Sequence, residues 1–254
     1  MNKKIVLAIS GSLRKPSFTE KMLDCILEGM GEEVEFKKFY PHKMNISPCT
    51  SCYSCWGKKY PGVCSKNDDF NEILDVYKKA DYFLLAFPLY FFSFPGSVKN
   101  MIDRFFIILE PTQRVSKRGT SEHPKRFGRH PKTVLISSCG FPELNNFDIV
   151  RLNFKKICEE SDWPLSGEIL IPAAGASNLP NVFDKKYEFI RQAGKSLLTG
   201  NIDKNLESQI SSPVMSDKDY RAMCTAALSG GIMGNLKTVA IGTKAIIKNK
   251  IKQE

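Results

Sequence analysis

The chain has 254 residues, 42% of them apolar, enough for a sizeable buried core, which excludes a disordered or fibrous protein. Lys and Arg total 37 against 27 Asp and Glu, a net charge of +10, yet charged residues make up only 25% of the chain, so this is a basic globular protein and not a polycation. The longest uncharged stretch, Tyr82 to Val98, falls short of the roughly 20 residues of a membrane helix and is broken by Pro88 and Pro95, so no membrane segment is expected.

The apolar run from Ile5 to Ile9 is too short for a secretory h-region and reads as the end of a first strand, Lys4 to Ser10. A cytoplasmic location follows, in which eight cysteines do not form a disulfide framework. Met22, Leu23, Ile26, Leu27 and Met30 share one helical face, and Glu33 to Phe39 reads as a second strand. Beyond a Cys-rich loop, Asp69 can cap a helix carrying Phe70, Ile73, Leu74 and Tyr77, and Tyr82 to Phe87 reads as a buried strand ended by Pro88. Val98, Met101, Ile102, Phe105 and Leu109 mark a third helix, Thr133 to Ser137 a fourth strand, residues 150–161 a helix, Glu168 to Ile171 a fifth strand, and Phe183 to Leu198 a long helix. Five βα units in this order predict an α/β, doubly wound, five-stranded parallel sheet of strand order 2-1-3-4-5. Residues 201–254 read as a C-terminal extension of a 1–200 domain, helical in part, with turns at Ser211 to Pro213 and at Gly230-Gly231. Its basic end, Lys237 to Glu254, reads as a solvated amphipathic helix in preference to a membrane-surface or partner helix.

Open α/β sheets bind ligands at the carboxyl ends of their strands, where strand order reverses. The segment after the first strand, Ser10 to Glu20, offers hydroxyls at Ser12, Ser17 and Thr19, a guanidinium at Arg14 and the free N–H groups of a helix start, a set that suits a phosphate. The glycines of the dinucleotide and Walker fingerprints are missing, which leaves a mononucleotide phosphate. The competing reading is a capping box, Ser17 with Glu20, whose carboxylate would repel a phosphate. The loop after the third strand, Pro88 to Gly96, puts aromatic rings where a core does not need them and a flat aromatic ligand would.

These segments resemble a known family. Gly-Ser-x-Arg-x-x-Ser at residues 11–17, Pro88-Leu89-Tyr90-Phe91, and Lys99-x-x-x-Asp103-Arg104 are similar to the flavodoxin-like NAD(P)H-dependent FMN reductases, and within them to the subgroup of iron-sulfur flavoproteins and their cluster-free relatives. The resemblance covers about residues 1–200 and implies a flavodoxin-like fold. It implies that Ser12, Arg14, Ser17, Phe18 and Thr19 hold the FMN phosphate, that Pro88, Leu89, Tyr90 and Phe91 contact the isoalloxazine ring, and that Cys139 and Gly140 border the flavin.

Cys49, Cys52 and Cys55 stand at C-x2-C-x2-C, with Cys64 further on and Asp68 and Asp69 behind it. Three thiols so spaced can bend round one corner of a [4Fe-4S] cluster, as in ferredoxin runs; zinc and unmetallated thiols are the other readings. The resembling iron-sulfur flavoproteins carry such a set in this loop with a shorter gap to the fourth cysteine. Cys25, Cys139, Cys158 and Cys224 have no partnering spacing and read as buried small hydrophobes.

His42, His123 and His130 lack a nucleophile motif beside them and read as surface or loop histidines, so hydrolase chemistry is excluded. Arg114 to Lys132 is strongly basic and reads as solvated surface or a lid, or as a grip for nicotinamide-cofactor phosphates. The aromatic residues are not interleaved with that run, so nucleic acid is not an expected partner. The expected activity is transfer of electrons from NAD(P)H through FMN to a quinone, flavin or protein acceptor, in a homodimer or homotetramer, with no acid or base side chain nominated. A non-enzymatic electron carrier or redox sensor is the alternative.

Overall fold

The computed structural model describes residues 3–59, 61–128 and 130–251. Five strands, β1 (Lys4–Ser10), β2 (Val34–Phe39), β3 (Tyr82–Pro88), β4 (Lys132–Ser138) and β5 (Leu165–Ile171), form one parallel sheet in the order β2-β1-β3-β4-β5. This is the flavodoxin-like order expected from the βα alternation. The fifth strand starts earlier than its apolar run because Ser166 and Gly167 break the hydrophobic pattern while Leu165 and Gly167 still pair with β4, Ser166 being bulged out between them.

Alternation along the strands divides the core in two, since successive side chains point to opposite faces. Val6, Ala8, Leu84, Val134, Ile136 and Ile169 face α1 (Phe18–Met30) and α5 (Asp184–Thr199). Leu7, Ile9, Phe83, Leu85, Phe87 and Leu135 face α2 (Phe70–Tyr77), α3 (Gly96–Arg104) and α4 (Asp148–Ser161). Three further helices, α6 (Lys204–Ser211), α7 (Asp217–Leu228) and α8 (Gly231–Ile251), add Ile210, Tyr220, Met223 and Ala245 to the first of these cores. Lys186, buried on α5, donates from Nζ to the carbonyls of Gln209, Ile210 and Ser212 at 3.2, 2.6 and 2.5 Å, a cation at the carboxyl end of α6 where the helix dipole favours it. No described helix is long and apolar enough to cross a membrane. Of the basic C-terminal end, residues 252–254 lie outside the described residues, as do Met1 and Asn2 at the other end.

Asp69 does not cap α2 as its position suggests: its carboxylate accepts from the Asn45 N–H at 2.7 Å, and Asp68 accepts the Phe70 N–H at 3.3 Å instead. Ser17 does cap α1, its Oγ accepting from the Glu20 N–H at 3.1 Å. The return half of the capping box is missing, because the Glu20 carboxylate turns to the Tyr40 hydroxyl at 2.6 Å and to Lys38 at 3.7 Å.

Helices α1 and α5 meet backbone to backbone through two glycines. A Cβ on Gly29 would lie 2.0 Å from the Arg191 carbonyl oxygen, and one on Gly194 would lie 2.3 Å from that of Ile26. Gly194→Ala therefore forces the two helices apart, and an overpacking cost of about 2–3 kcal/mol is expected as a lower urea midpoint with unchanged slope. An unchanged midpoint would show that this contact does not set the helix spacing.

Candidate functional site

The parallel register brings the carboxyl ends of the three central strands to one edge: Ser10 pairs with Ala86, and Pro88 pairs with Ser138. Strand order reverses between β1 and β3, so a crevice opens there by topology. One residue joins the loops that flank it. Ser138 shares a hydrogen bond with the Thr19 hydroxyl at 2.7 Å, and its carbonyl accepts the Leu89 N–H at 2.8 Å. The start of α1, the Pro88–Phe91 loop and the Ser138–Phe141 segment are thereby brought together. Gly11 lets the first loop approach, since a Cβ there would lie 2.4 Å from Val98 Cγ2.

The residues of the first loop play unequal parts. Arg14 is exposed, with Leu13 and Lys15 beside it, and Ser12 is buried with its Oγ accepting the Arg14 N–H at 3.4 Å. The Ser17 hydroxyl is used as the helix cap and that of Thr19 is bonded to Ser138. Phe18 turns its ring away, 4.6 Å from that of Phe183, so only its backbone points to the loop. The Glu20 carboxylate that would repel a phosphate is drawn to one side by Tyr40 and by Lys38, which also pairs with Asp24; burial, then its bond to Glu20, pushes the Tyr40 hydroxyl up to about 12.

In the second loop Tyr90 and Ser93 exchange both backbone hydrogen bonds, at 3.1 and 3.0 Å, around Phe91 and Phe92. Both phenylalanines have positive φ, 47° and 64°, a conformation that bulky residues adopt at a cost of about 1–3 kcal/mol each. Phe91 is 96% exposed. Pro88 and Leu89 are half-buried beneath it. In the third segment the Cys139 thiol is buried and donates to the Phe141 carbonyl at 3.2 Å; burial pushes it up to about 11. Gly140 has open space where a side chain would be, and its carbonyl accepts the Tyr220 hydroxyl at 2.6 Å, while that hydroxyl accepts the Gly175 N–H at 3.1 Å. Tyr220 on α7 carries no sequence signal for this role. Nor do Ser10 and Ser97, whose buried hydroxyls lack a hydrogen-bond partner.

The cysteine loop packs against α3 and the segment that follows it. Cys49, Cys52, Cys55 and Cys64 line one small cavity, about 30 Å³, with Arg104, Phe106 and Ile107. Arg104, buried on α3, holds the loop: it donates to Asp68 through both terminal nitrogens at 2.7 and 3.0 Å, to the Ser47 carbonyl at 2.9 Å and to the Cys64 sulfur at 3.3 Å, and it lies 4.8 Å from the Phe70 ring centroid. Trp56 stacks on Phe106 at 4.4 Å and meets the His123 ring at 4.8 Å. The basic stretch beyond is an ordered cover: a hairpin of Arg114–Val115 and Ser121–Glu122, then Arg126, which donates to the carbonyls of Cys55 and Leu109 at 3.3 and 3.1 Å. Arg114 pairs with Glu122 and Arg118 with Glu160. Arg129 lies outside the described residues. His130 is half-buried against the Tyr77 hydroxyl at 2.9 Å, and burial pulls both it and His42 down, so neither is a plain surface histidine.

Residues 5–123 match the NADPH-dependent FMN reductase family. The three motifs all lie within this match, which covers under half of the chain and ends short of residues 1–200, over which the likeness is expected. Among curated proteins, an iron-sulfur flavoprotein of Archaeoglobus fulgidus is 36% identical over 101 residues, 39% of this chain and 44% of that one, and the iron-sulfur flavoprotein of Methanosarcina thermophila is 29% identical over 104 residues, 41% and 53%. The match thus spans about half the length of these relatives. Among solved structures, an FMN-dependent NADH-azoreductase of Bacillus anthracis in complex with FMN superposes with a TM-score of 0.58 at 17% identity, over 76% of this chain and 99% of that one. An NAD(P)H:quinone oxidoreductase of Methanothermobacter marburgensis gives 0.55 at 16%, over 77% and 96%. These two share the fold.

The crevice residues fit a flavin mononucleotide: a helix start with free N–H groups, an exposed guanidinium, a carboxylate turned aside, orphaned hydroxyls of Ser10 and Ser97, and aromatic rings on a turn that packing does not require. The four cysteines of the loop line that one cavity, and the Cys55 thiol is raised by burial and by Cys64, Cys49 and Cys52 close by. Among the described residues no three His, Cys, Asp or Glu side chains stand so as to hold a single metal ion, and Arg104 donates to the Cys64 sulfur.

Burial alone would raise the Asp68 carboxyl, but the Arg104 guanidinium and the N–H groups of Ser47 and Phe70 hold it below the usual carboxylate range. Its contribution is therefore complete above the unfolded value of about 4 and is lost as pH falls below it. Asp68→Asn is expected to flatten this part of the acid-unfolding curve and to destabilise the protein by about 3 kcal/mol at neutral pH, since Arg104 is left buried and unpaired. The exposed Cys52 thiol, bonded to the Ser54 and Ser65 hydroxyls, is lowered to about 6. Iodoacetamide at pH 7 is expected to alkylate Cys52 well before the buried Cys139 and Cys158, as peptide mass mapping would show.

Proposed function

We propose that this chain is an FMN-dependent oxidoreductase that passes electrons from NAD(P)H to a quinone, a flavin or a protein acceptor. The observation that carries this reading is the Ser138 junction, which assembles three loops into one crevice at the point of strand reversal. The family match over residues 5–123 supports the same cofactor.

Bound FMN supplies the electron chemistry itself. The chain's part is binding and orientation. Ser12, the N–H groups at the start of α1 and the Arg14 guanidinium would meet the phosphate, with charge-assisted hydrogen bonds supplying most of the retention. Pro88, Leu89, Tyr90 and Phe91 would support the ring, with Cys139 and Gly140 at its border. The strain at Phe91 and Phe92 holds an aromatic surface ready outside the core, so that a planar ligand gains contact without a rearrangement. No side chain is assigned as acid or base. Residues 1–200 would form the flavin domain and 201–254 an extension that supports it through Tyr220, in a cytoplasmic homodimer or homotetramer.

Purified protein is expected to show twin flavin absorption bands and to oxidise NADH or NADPH steadily with an added quinone. A flavin reduced only through a partner protein would identify an electron carrier instead. Arg14→Ala is the clean variant, because its side chain is exposed while Ser17 also caps a helix. Loss of one charged contact, about 1.5–3 kcal/mol, should weaken FMN binding roughly 10- to 150-fold by titration; unchanged affinity would move the phosphate elsewhere.

A further inference from the structure

Helix α8 has two apolar faces, and only one is used. The inner face is docked closely: a Cβ on Gly242 would lie 2.4 Å from Leu179 Cδ1, one on Gly234 would lie 2.8 Å from the Ala226 carbonyl oxygen, and Ala245 is 5% exposed. This contact fixes the rotation of the helix. At 100° per residue, Leu236, Val239, Ala240, Thr243 and Ile247 then fall within about 60° of one line on the opposite side. That line faces solvent, with Leu236, Val239 and Ile247 at 62%, 52% and 54% exposed, and Leu228 at the end of α7 at 89%. A helix apolar on both sides is ordinarily buried on both, so the outer face is not the solvated polar surface that the lysine content suggests.

Charge selects what covers it. Lys237, Lys244 and Lys248 are exposed and stand in a single file about 100° round from the apolar line, while residues 231–251 contain no Asp or Glu. A second copy packed face to face about a two-fold axis would offer these lysines no carboxylate from its own α8, since such a contact repeats the same residues on both sides. An anionic plane does the reverse: it takes the apolar line into its boundary and the lysine heads at its headgroups.

We propose that the outer face of α8 is a membrane-surface site that recognises anionic lipid headgroups. The helix lies on the bilayer and does not span it, in agreement with the absence of a membrane-spanning helix among the described residues. The flavin reading is not needed for this inference.

The test is co-sedimentation of the full chain with phosphatidylglycerol vesicles and, separately, with phosphatidylcholine vesicles. Three lysines at the headgroup plane should favour the anionic vesicles by about a hundredfold, with binding that weakens as salt is added. Leu236→Ser, Val239→Ser and Ile247→Ser combined should abolish binding without altering circular dichroism. Lys237→Gln, Lys244→Gln and Lys248→Gln combined should remove the preference for anionic vesicles, which keeps the test decisive should the serine variant unfold. Equal or absent sedimentation with both vesicles would overturn the proposal. So would a dimer that ignores vesicles and dissociates in the serine variant, since the face would then be a contact between copies.

Discussion

The hydrogen bond of 2.7 Å between the hydroxyls of Thr19 and Ser138 ties segments 119 residues apart in the chain and sits at the one edge where a parallel sheet leaves its strand ends open. Both groups are buried, so leaving either unpaired would cost about 1–3 kcal/mol. That penalty keeps the start of α1 seated against β4, and the Ser138 carbonyl adds Leu89 to the same point. The geometry of the crevice therefore depends on this one junction between its loops.

A second junction governs the cysteine loop. Arg104 brings a full charge into the interior, and the desolvation is offset only because Asp68, Ser47, Cys64 and the Phe70 ring surround it. Loop and α3 are thereby made one unit, with the four thiols lining one cavity between them. Above them Arg126 and His123 spend their hydrogen bonds on backbone carbonyls, which turns a run of like charges into a fixed cover. Basic composition alone does not distinguish a solvated surface from such a cover, because the deciding partners are carbonyl groups that every residue carries.

The loop after β1 illustrates the same limit. Ser12, Arg14, Ser17 and Thr19 are visible as a polar group after a strand, but which hydroxyls are already spent is decided by Glu20, Ser138 and the local turn. The Glu20 carboxylate is turned aside only because Lys38 and Tyr40, from the neighbouring strand and its exit, reach it. Tyr220 and Arg104 are ordinary aromatic and basic residues on helix patterns; nothing in their spacing reports that one supports the Gly140 carbonyl and the other the cysteine loop.

Taken alone, the order of residues determined the five strands, the helices between them, the sheet topology and the three loops of the crevice, because period-2 and period-3.6 burial and proline or glycine punctuation are local properties. It also determined the charge and the apolar content of α8. Tertiary structure alone decided which hydroxyls remain available, that the four thiols line one cavity beside Arg104, and which side of α8 faces outward. Each of these depends on contacts between distant segments, and such contacts are set by packing and by the penalty for unpaired buried polar groups, neither of which is written in spacing along the chain.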